Sequence, residues 1–205
     1  MVLELAAEVH IAVGRALAWT YEKVWSLRKL RYFDHRFDYL RGPHYVNWQE
    51  RGILGAQAIP QRGKVLDLCC GDGFYTKNYY APRASHVVGI DLDDSAIGMA
   101  KRRNGARNAA FFVGDVTCMG FPGRNYDVVL FFSALHFISE ERRTALLSKI
   151  VASLKPDGVL VGSATLPRES LQALLTLHFK QVHLWESDWG KGRIESYFEC
   201  RRHAT

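Results

Sequence analysis

The sequence predicts an α/β protein: a doubly wound, mostly parallel sheet with an antiparallel edge, preceded by an N-terminal helical extension. From residue 64 onward, short apolar runs alternate with amphipathic segments, as parallel strands alternate with crossover helices. The last two strand-like runs have no helix between them, so we expect them to pair as an antiparallel hairpin at one edge. The first thirty residues carry a long helical pattern that lies outside this alternation.

Each predicted element rests on its apolar periodicity and on the residues that bound it. The predicted strands cover residues 64–68, 86–90, 109–114, 126–132, 157–164, 180–186 and 194–202. The predicted helices cover residues 74–81, 94–104, 139–154 and 168–179. The second helix is expected to begin at an N-cap, Asp94 or Ser95, and Pro156 is expected to stop the third. This alternation predicts helices on both faces of the sheet.

A separate amphipathic helix is predicted for the first thirty residues. Its apolar positions recur at three- and four-residue steps: Ala6, Val9, Val13, Leu17, Tyr21 and Val24. Such a helix packs on its own domain, pairs with a partner subunit, or lies on a membrane surface, the last favoured by Trp19 and Trp25. We expect residues 1–52 to form this helix and a lid segment, and residues 53–205 to form the main domain.

Composition and cysteine usage are typical of a cytoplasmic globular protein. The 205 residues suffice for one domain with a short extension. No apolar run reaches the roughly 18–20 residues of a membrane span, and Glu4 and Glu8 stand where a secretory signal would be basic. The four cysteines lack the spacing of metal ligands, so no metal site is expected and a reducing, cytoplasmic setting follows.

The net charge of +6 raises the question of a nucleic-acid partner. The densest basic cluster, KRRNGAR at residues 101–107, lies at the end of a predicted helix, where the helix dipole favours cations. No aromatic residues interleave with this cluster, as a platform for stacking single-stranded bases would require. Nucleic acid is therefore not favoured as a partner, although the charge does not exclude it.

The stretch VLDLCCGDGFYT, residues 65–76, joins a buried strand to a glycine-bearing turn. In an open parallel sheet, the turn after the first strand faces the ligand crevice. Gly71 and Gly73 permit a ligand to approach the backbone, but Asp67 and Asp72 would repel a pyrophosphate. A dinucleotide-binding loop would also have a third glycine where Thr76 stands. The loop therefore predicts a ligand that is cationic near the turn, and a molecule with an ammonium group, a sulfonium centre and a ribose fits this description.

Four motifs in register resemble those of one enzyme family. The segments VLDLCCGDG, VVGIDLD, FFVGDV and YDVVLFFSALHF, in this order and spacing, are similar to those of class I S-adenosylmethionine-dependent methyltransferases. The resemblance covers roughly residues 45 to 202, most of the chain. It implies a seven-stranded Rossmann-like sheet whose last strand is antiparallel. It also implies S-adenosylmethionine as cofactor and S-adenosylhomocysteine as product.

The resemblance implies a role for each residue that matches a family motif. Asp67 would anchor the network around the amino acid moiety of the cofactor, with Gly71 and Gly73 giving close approach. Asp91, at the end of the second strand, would bind both ribose hydroxyls. Asp115 would accept a hydrogen bond from the adenine amino group. These three acids are the principal cofactor contacts that we expect.

Five further positions are implied by the same motifs. Leu92 would pack on the adenine, and Val116 would offer its backbone amide to the ring. Ser133 and Ala134, after the fourth strand, would border the transferable methyl group. Cys69 stands where the family most often has glycine. Because cysteine is small, the change is mild and Cys69 is still expected to line the cofactor.

The acceptor side is expected to involve one histidine and the segment before the first strand. His136 follows the fourth strand and is the candidate base for an acceptor hydroxyl, although it could instead line the pocket or cap the next helix. Residues 32–52 are rich in aromatic and charged side chains, which would either fold over the cofactor or pin the N-terminal helix to the domain. The candidate lid residues are Tyr39, Tyr45, Trp48 and Arg51.

The stretch FDHRFDYLRG resembles bacterial methyltransferases that act on glycans, lipid-linked sugars or secondary metabolites. It favours a small-molecule, lipid-linked or glycan acceptor, methylated at oxygen, in polysaccharide or secondary-metabolite biosynthesis. The alternatives are an RNA or protein methyltransferase and a non-catalytic module that binds S-adenosylmethionine. The sequence SALHF, in place of an Asn/Asp-Pro-Pro-aromatic motif, counts against methylation of base amino groups. Retention of the cofactor-site acids counts against a non-catalytic module.

Overall fold

The computed structural model describes residues 45–189 and 194–202 of the chain. The helices are α1 (Tyr45–Ala58), α2 (Asp94–Arg103), α3 (Glu140–Ser153) and α4 (Arg168–Thr176). The strands are β1 (Lys64–Leu68), β2 (His86–Asp91), β3 (Ala109–Val113), β4 (Tyr126–Phe132), β5 (Leu154–Ala164), β6 (Gln181–Asp188) and β7 (Ile194–Arg201). A π-helical turn (Thr76–Tyr80) follows β1, and a 3₁₀ turn (Leu135–Phe137) follows β4. The predicted N-terminal amphipathic helix and Tyr39 lie outside the described residues.

The seven strands form one sheet in the order β3-β2-β1-β4-β5-β7-β6. Strands β1 to β5 pair in parallel, whereas β7 lies between β5 and β6 and is antiparallel to both. The β6–β7 hairpin thus occupies one edge of the sheet, and the predicted mixed seven-stranded fold is confirmed. Because the chain order reverses between β1 and β4, the crevice of an open parallel sheet lies at the carboxyl ends of these two strands.

Apolar side chains cover both faces of the sheet, which is why the strands read as nearly continuous apolar runs. On one face, strand residues such as Leu66 and Phe131 pack in a core cluster with Leu147 of α3 and Leu171 of α4. On the other face, alternate strand residues such as Val128 form a second cluster, which includes Ile59 and Tyr80. The sheet is therefore doubly wound, as the alternation of strands and helices predicts.

Several predicted ends of helices and strands are wrong. The helix predicted for residues 74–81 is mainly the short π-helical turn, and the last helix ends at Thr176. Strand β5 begins at Leu154, where the backbone becomes extended before Pro156 is reached. The N-cap of α2 is Asp93, whose carboxylate accepts from the backbone nitrogens of the next turn. These differences shift element ends but leave the strand order unchanged.

Helix α1 was not predicted, because its sequence, YVNWQERGILGAQA, has only a weak amphipathic pattern. It runs across residue 52, where the sequence places the start of the main domain; that boundary stays a prediction. Within the described ranges, no helix combines the length and apolar character needed to cross a bilayer.

Candidate functional site

The turn after β1 holds three residues in the left-handed backbone region. The φ angles are 56° at Cys69, 55° at Gly71 and 72° at Gly73. A Cβ atom at Gly73 would stand 2.9 Å from the ring of Phe111, so this position requires glycine for space as well as conformation. Cys69 is strained in this left-handed conformation, whereas the glycine that the family most often has at this position would not be. The tight turn brings backbone amides to the carboxyl edge of the sheet.

Asp91 connects this turn to the end of β2. One carboxylate oxygen accepts a hydrogen bond from the Gly71 backbone nitrogen at 2.8 Å, and the other accepts from the Asp93 nitrogen at 2.9 Å. A carboxylate oxygen accepts two hydrogen bonds, so each oxygen retains capacity for one more. The side chain is partly exposed at the edge of the sheet. This arrangement fits the two adjacent hydroxyls of a ribose.

Asp67 lies buried beneath the turn at the end of β1. Its carboxylate accepts a hydrogen bond of 2.6 Å from the hydroxyl of Thr76, which sequence reasoning treated only as a missing glycine. Burial raises the pKa of Asp67 to about 7, opposed in part by the Thr76 hydrogen bond and reinforced by the charge of Asp91. A carboxyl with this pKa is poised to ionise when a cation binds beside it.

Asp115 follows β3 and is well exposed on the same edge. Its Oδ1 accepts from the backbone nitrogen and the hydroxyl of Thr117, at 2.8 and 2.7 Å. These hydrogen bonds hold the pKa of Asp115 below its usual value. Next to it Val116 is buried, while Leu92, after β2, is 71% exposed and free to cover a flat ring. The predicted adenine contacts therefore lie on two neighbouring strand ends.

A buried polar network closes the carboxyl ends of β4 and β5. Ser133, with φ 53°, donates its backbone N–H to the Ser163 carbonyl at 2.8 Å and accepts at its hydroxyl from Arg51 Nη2 at 3.0 Å. Glu195 of β7 binds the Arg51 guanidinium and the Ser163 hydroxyl, each at 2.5 Å. Ala134, the other residue predicted at this end of β4, is buried. The network fixes the strained turn at which the methyl acceptor is expected.

Arg51 is only 3% exposed, and three side chains stabilise its charge: Glu195, Trp48 and Trp189. Its guanidinium lies 4.5 Å from the ring centroids of both Trp48 and Trp189, which meet edge to face. Burial disfavours the charge, but Glu195, together with Tyr75 and Tyr197, more than offsets this effect, so the pKa of Arg51 is raised. The hydroxyl of Tyr75 donates to the Trp48 carbonyl at 3.0 Å and joins α1 to the region of the glycine turn. Two predicted lid residues, Trp48 and Arg51, thus belong to this buried network, and their role as a lid stays a prediction.

His136 lies in the 3₁₀ turn after β4. Its Nδ1 stands 3.4 Å from the backbone nitrogen of Thr165, at the long end of the hydrogen-bond range, and its ring packs on Phe137. A neutral imidazole that accepts at Nδ1 carries its proton on Nε2. In this geometry Nε2 of His136 carries the proton. To accept a proton at Nε2, His136 must first adopt the tautomer that is protonated at Nδ1.

Sequence reasoning missed four residues of this site: Thr76, Ser163, Trp189 and Glu195. Glu195 is fully buried although glutamate is rarely so, and its partner Arg51 lies 144 residues away. No local pattern indicates such a pair. Tyr45 lies at the start of α1. Among the residues that the structure describes, no group of three or more His, Cys, Asp or Glu side chains is arranged to hold a metal ion.

Comparison with known proteins agrees with this geometry. A methyltransferase-domain family model matches residues 65–158. Phosphoethanolamine N-methyltransferase of Plasmodium falciparum is 27% identical over 133 residues, 61% of this chain and 49% of that protein. An uncharacterized methyltransferase of Synechocystis is 34% identical over 102 residues, 50% of this chain and 47% of that protein. The chain thus spans about half the length of these relatives.

Solved structures share the fold. The N-methyltransferase NodS of Bradyrhizobium japonicum, in complex with S-adenosylhomocysteine, superposes with a TM-score of 0.70 at 16% identity, over 87% of this chain and 97% of that one. The DhpI–S-adenosylhomocysteine complex gives 0.63 at 21% identity, over 97% of both chains. The sheet order, the glycine turn and the family match lead to one conclusion: residues 65–158 carry a methyltransferase domain, on the fold of the S-adenosylmethionine-dependent methyltransferases.

Proposed function

We propose that the protein transfers the methyl group of S-adenosylmethionine to an oxygen atom of a small-molecule, lipid-linked or glycan acceptor. The observation that carries the proposal is the placement of three carboxyl groups, Asp67, Asp91 and Asp115, at the carboxyl ends of adjacent strands around a glycine turn. An ammonium, a ribose diol and an adenine amino group are the donors that such acids suit. The bound cofactor supplies an electrophilic methyl group on a sulfonium centre.

The protein's part in this reaction is alignment. Asp91 would hold the ribose while its other hydrogen bonds keep the glycine turn in place. Asp67 would balance the ammonium, and Asp115 would orient the adenine. At the other end of the site, Ser133 and the Arg51–Glu195 pair form a rigid wall for the acceptor. Alignment of this kind can contribute roughly 7–11 kcal/mol to catalysis.

Cofactor affinity is expected to depend on the ionisation of Asp67. Its pKa is raised to about 7, so lowering the pH from about 8 to about 6 should weaken S-adenosylhomocysteine binding roughly tenfold. The loss appears on the acid side because only the carboxylate attracts the ligand's ammonium. Calorimetric titration in two buffers of different ionisation enthalpy would also detect proton release near neutral pH. Equal affinities at both pH values, or a full pH dependence in Asp67→Asn, would count against this role.

The named activities of relatives support an acceptor that is small or lipid-linked. Mycolicibacterium smegmatis fatty-acid O-methyltransferase is 28% identical over 116 residues, and malonyl-[acyl-carrier protein] O-methyltransferase of Bacillus anthracis is 28% identical over 115 residues. A Streptomyces fradiae relative is an N,N-dimethyltransferase of a dTDP-amino sugar, with 29% identity over 103 residues. Acyl carboxyl and hydroxyl groups are therefore the acceptors to test first, and the amino-sugar relative adds nucleotide sugars to the set. A role in bacterial polysaccharide or secondary-metabolite biosynthesis is the setting we propose.

The acceptor proposal is tested by transfer of tritiated methyl groups from S-adenosylmethionine. Free fatty acids, hydroxylated acyl chains, lipid-linked sugars and nucleotide sugars would be assayed in parallel, and products separated by solvent partition. We expect label in an oxygen ester or ether of one of these classes. Label only in amino sugars, RNA or protein would overturn the oxygen assignment. Binding of S-adenosylhomocysteine in the same preparation separates a wrong acceptor from a failed cofactor site.

His136 is proposed to accept the proton of an acceptor hydroxyl at Nε2, in the tautomer that is protonated at Nδ1 and gives up the long contact with the Thr165 nitrogen. With a hydroxyl acceptor, His136→Asn should lower kcat roughly 100-fold and abolish the acidic limb of the pH–rate profile. With a carboxylate acceptor the same variant should be nearly neutral, because no proton needs removal. His183→Asn, on exposed strand β6, is the matched control. Unchanged kcat with a hydroxyl acceptor would mean that His136 only lines the pocket.

A further inference from the structure

A cationic surface runs from the amino edge of the sheet along α2 and the π-helical turn. Its helical part reaches the flank of the cofactor turn, where the Asn104 side-chain amide donates to the Asp72 carbonyl at 2.8 Å. The turns before β1, β2 and β3 meet at the amino edge because parallel strands begin on one common edge. Neither residues 73–90 nor residues 95–114 contain an aspartate or glutamate. We call this surface the amino-edge patch and define it by six exposed side chains: Arg62, Lys77, Arg83, Lys101, Arg103 and Arg107.

Hydrogen bonds between the turns show that the patch is continuous. The Arg62 backbone nitrogen donates to the Arg83 carbonyl at 2.8 Å. The Asn108 amide, next to Arg107, donates to the carbonyls of Ala81 and Ala84, each at 2.9 Å. Lys77 Nζ donates to the carbonyl of Arg103 at 2.7 Å, which joins the end of α2 to the π-helical turn. The basic cluster at residues 101–107, which the sequence places at the end of a helix, is thus one part of a wider surface.

The patch has little internal charge compensation. Asp127 is the acid at the start of the neighbouring strand β4. It forms an ion pair with Lys155, whose Nζ lies 2.5 Å from Asp127 Oδ1. The helix dipole accounts for Lys101 and Arg103 at the end of α2, but not for Arg62, Arg83 or Arg107 in the turns. A surface cavity of about 630 Å³ opens between Arg62 and Arg83 and is lined by polar and small residues. Like charges gathered around a cavity favour an anionic partner.

The residue types of the patch favour binding to the phosphates of a nucleic-acid duplex over binding to other polyanions. Four of its six side chains are arginines, whose planar guanidinium binds phosphate oxygens in a bidentate manner. The exposed large apolar side chains of the described ranges all lie outside these turns, so the patch lacks the apolar residues that insert into a membrane. It also lacks an exposed aromatic platform for single-stranded bases. Backbone contacts to a duplex need neither feature.

We propose that the amino-edge patch docks the phosphate backbone of a nucleic-acid duplex, independently of its base sequence. The cofactor residues follow the carboxyl ends of the strands, whereas Arg62, Arg83 and Arg107 precede the amino ends of β1, β2 and β3. The other three patch residues lie on the π-helical turn and on α2. The duplex is therefore a docking partner and not the methyl acceptor. Binding of the duplex and of S-adenosylhomocysteine should then be independent of each other.

Fluorescence anisotropy with labelled RNA and DNA duplexes of about 20 base pairs tests the proposal over about 50–300 mM KCl. Six phosphate contacts predict a log–log salt slope of about −5. Arg103→Gln/Arg107→Gln should make that slope shallower by about 2 and weaken binding at least tenfold near 100 mM salt. The control, Arg142→Gln/Arg168→Gln, removes the same charge from the first turns of α3 and α4, which follow the carboxyl ends of β4 and β5, and it should change affinity less than about twofold.

Three outcomes would overturn the proposal. The first is no duplex binding at the lowest salt. The second is an equal loss in both double variants, which would indicate a response to net charge alone. The third is binding to phosphatidylglycerol vesicles without binding to either duplex, which would assign the patch to a membrane. Unchanged S-adenosylhomocysteine affinity in the patch variant verifies that its fold is intact and keeps this test separate from the methyltransferase proposal.

Discussion

Replacing Glu195 by alanine is expected to lower the free energy of unfolding by about 3–5 kcal/mol. The substitution leaves the Arg51 guanidinium buried between two tryptophans without its carboxylate, and it removes the acceptor of the Ser163 hydroxyl. For a chain of this size the melting temperature should fall by roughly 10 °C. Chemical denaturation followed by tryptophan fluorescence measures the change, since Trp48 and Trp189 flank the Arg51 guanidinium.

The matched control for this prediction is Glu199→Ala on the same strand. Glu199 pairs with Arg201, and both side chains are more than one-third exposed, so its loss should cost less than about 1 kcal/mol. Replacing Arg51 and Glu195 together with leucine should recover much of the stability, because no unpaired charge stays buried. If Glu195→Ala were no more destabilising than Glu199→Ala, the buried pair would not be the structural centre of the acceptor wall.

Replacing Asp91 by alanine is expected to weaken S-adenosylhomocysteine binding at least roughly 100-fold. Two hydrogen bonds from ribose hydroxyls to a carboxylate contribute about 1.5–3 kcal/mol each, and a loss of about 3 kcal/mol corresponds to roughly that factor. The variant also loses the carboxylate that binds the Gly71 nitrogen, so the glycine turn loosens as well. Isothermal titration with S-adenosylhomocysteine gives the affinity directly.

Asp94→Ala separates the specific role of Asp91 from the effect of removing one acidic charge. Asp94 is exposed in the first turn of α2, three residues further along the chain. Its loss should change the affinity less than about threefold, with a small cost to the helix. Equal affinities for the Asp91 variant and the wild type would place the ribose elsewhere.

The fold and the carboxyl-edge acids could be predicted because local patterns encode them. Strands buried on both faces give short apolar runs, and the acids at 67, 91 and 115 stand at or just beyond the ends of three such runs. The hairpin of β6 and β7 followed from the lack of a helix between them. The insertion of β7 between β5 and β6 agrees with the antiparallel last strand that the family resemblance implied.

The buried network of Arg51, Ser163 and Glu195 could not be predicted because it depends on tertiary register. Glu195 reaches Arg51 only when β7 pairs with β5, which brings residues 144 positions apart into contact. Strand periodicity identifies which side chains share a face but not which helix covers them. The role of Thr76 could not be predicted for a similar reason, since its hydroxyl donates to Asp67 only after the turn has brought the two side chains together.

If the glycine turn and its acids bind S-adenosylmethionine, the product S-adenosylhomocysteine should occupy the same site. Titration of the wild-type protein with S-adenosylhomocysteine, beside a parallel titration with NAD, measures this binding. We expect saturable binding of one S-adenosylhomocysteine per chain at roughly micromolar affinity, about −8 kcal/mol, and no binding of NAD. Binding of NAD in place of S-adenosylhomocysteine, or of neither ligand, would contradict this expectation.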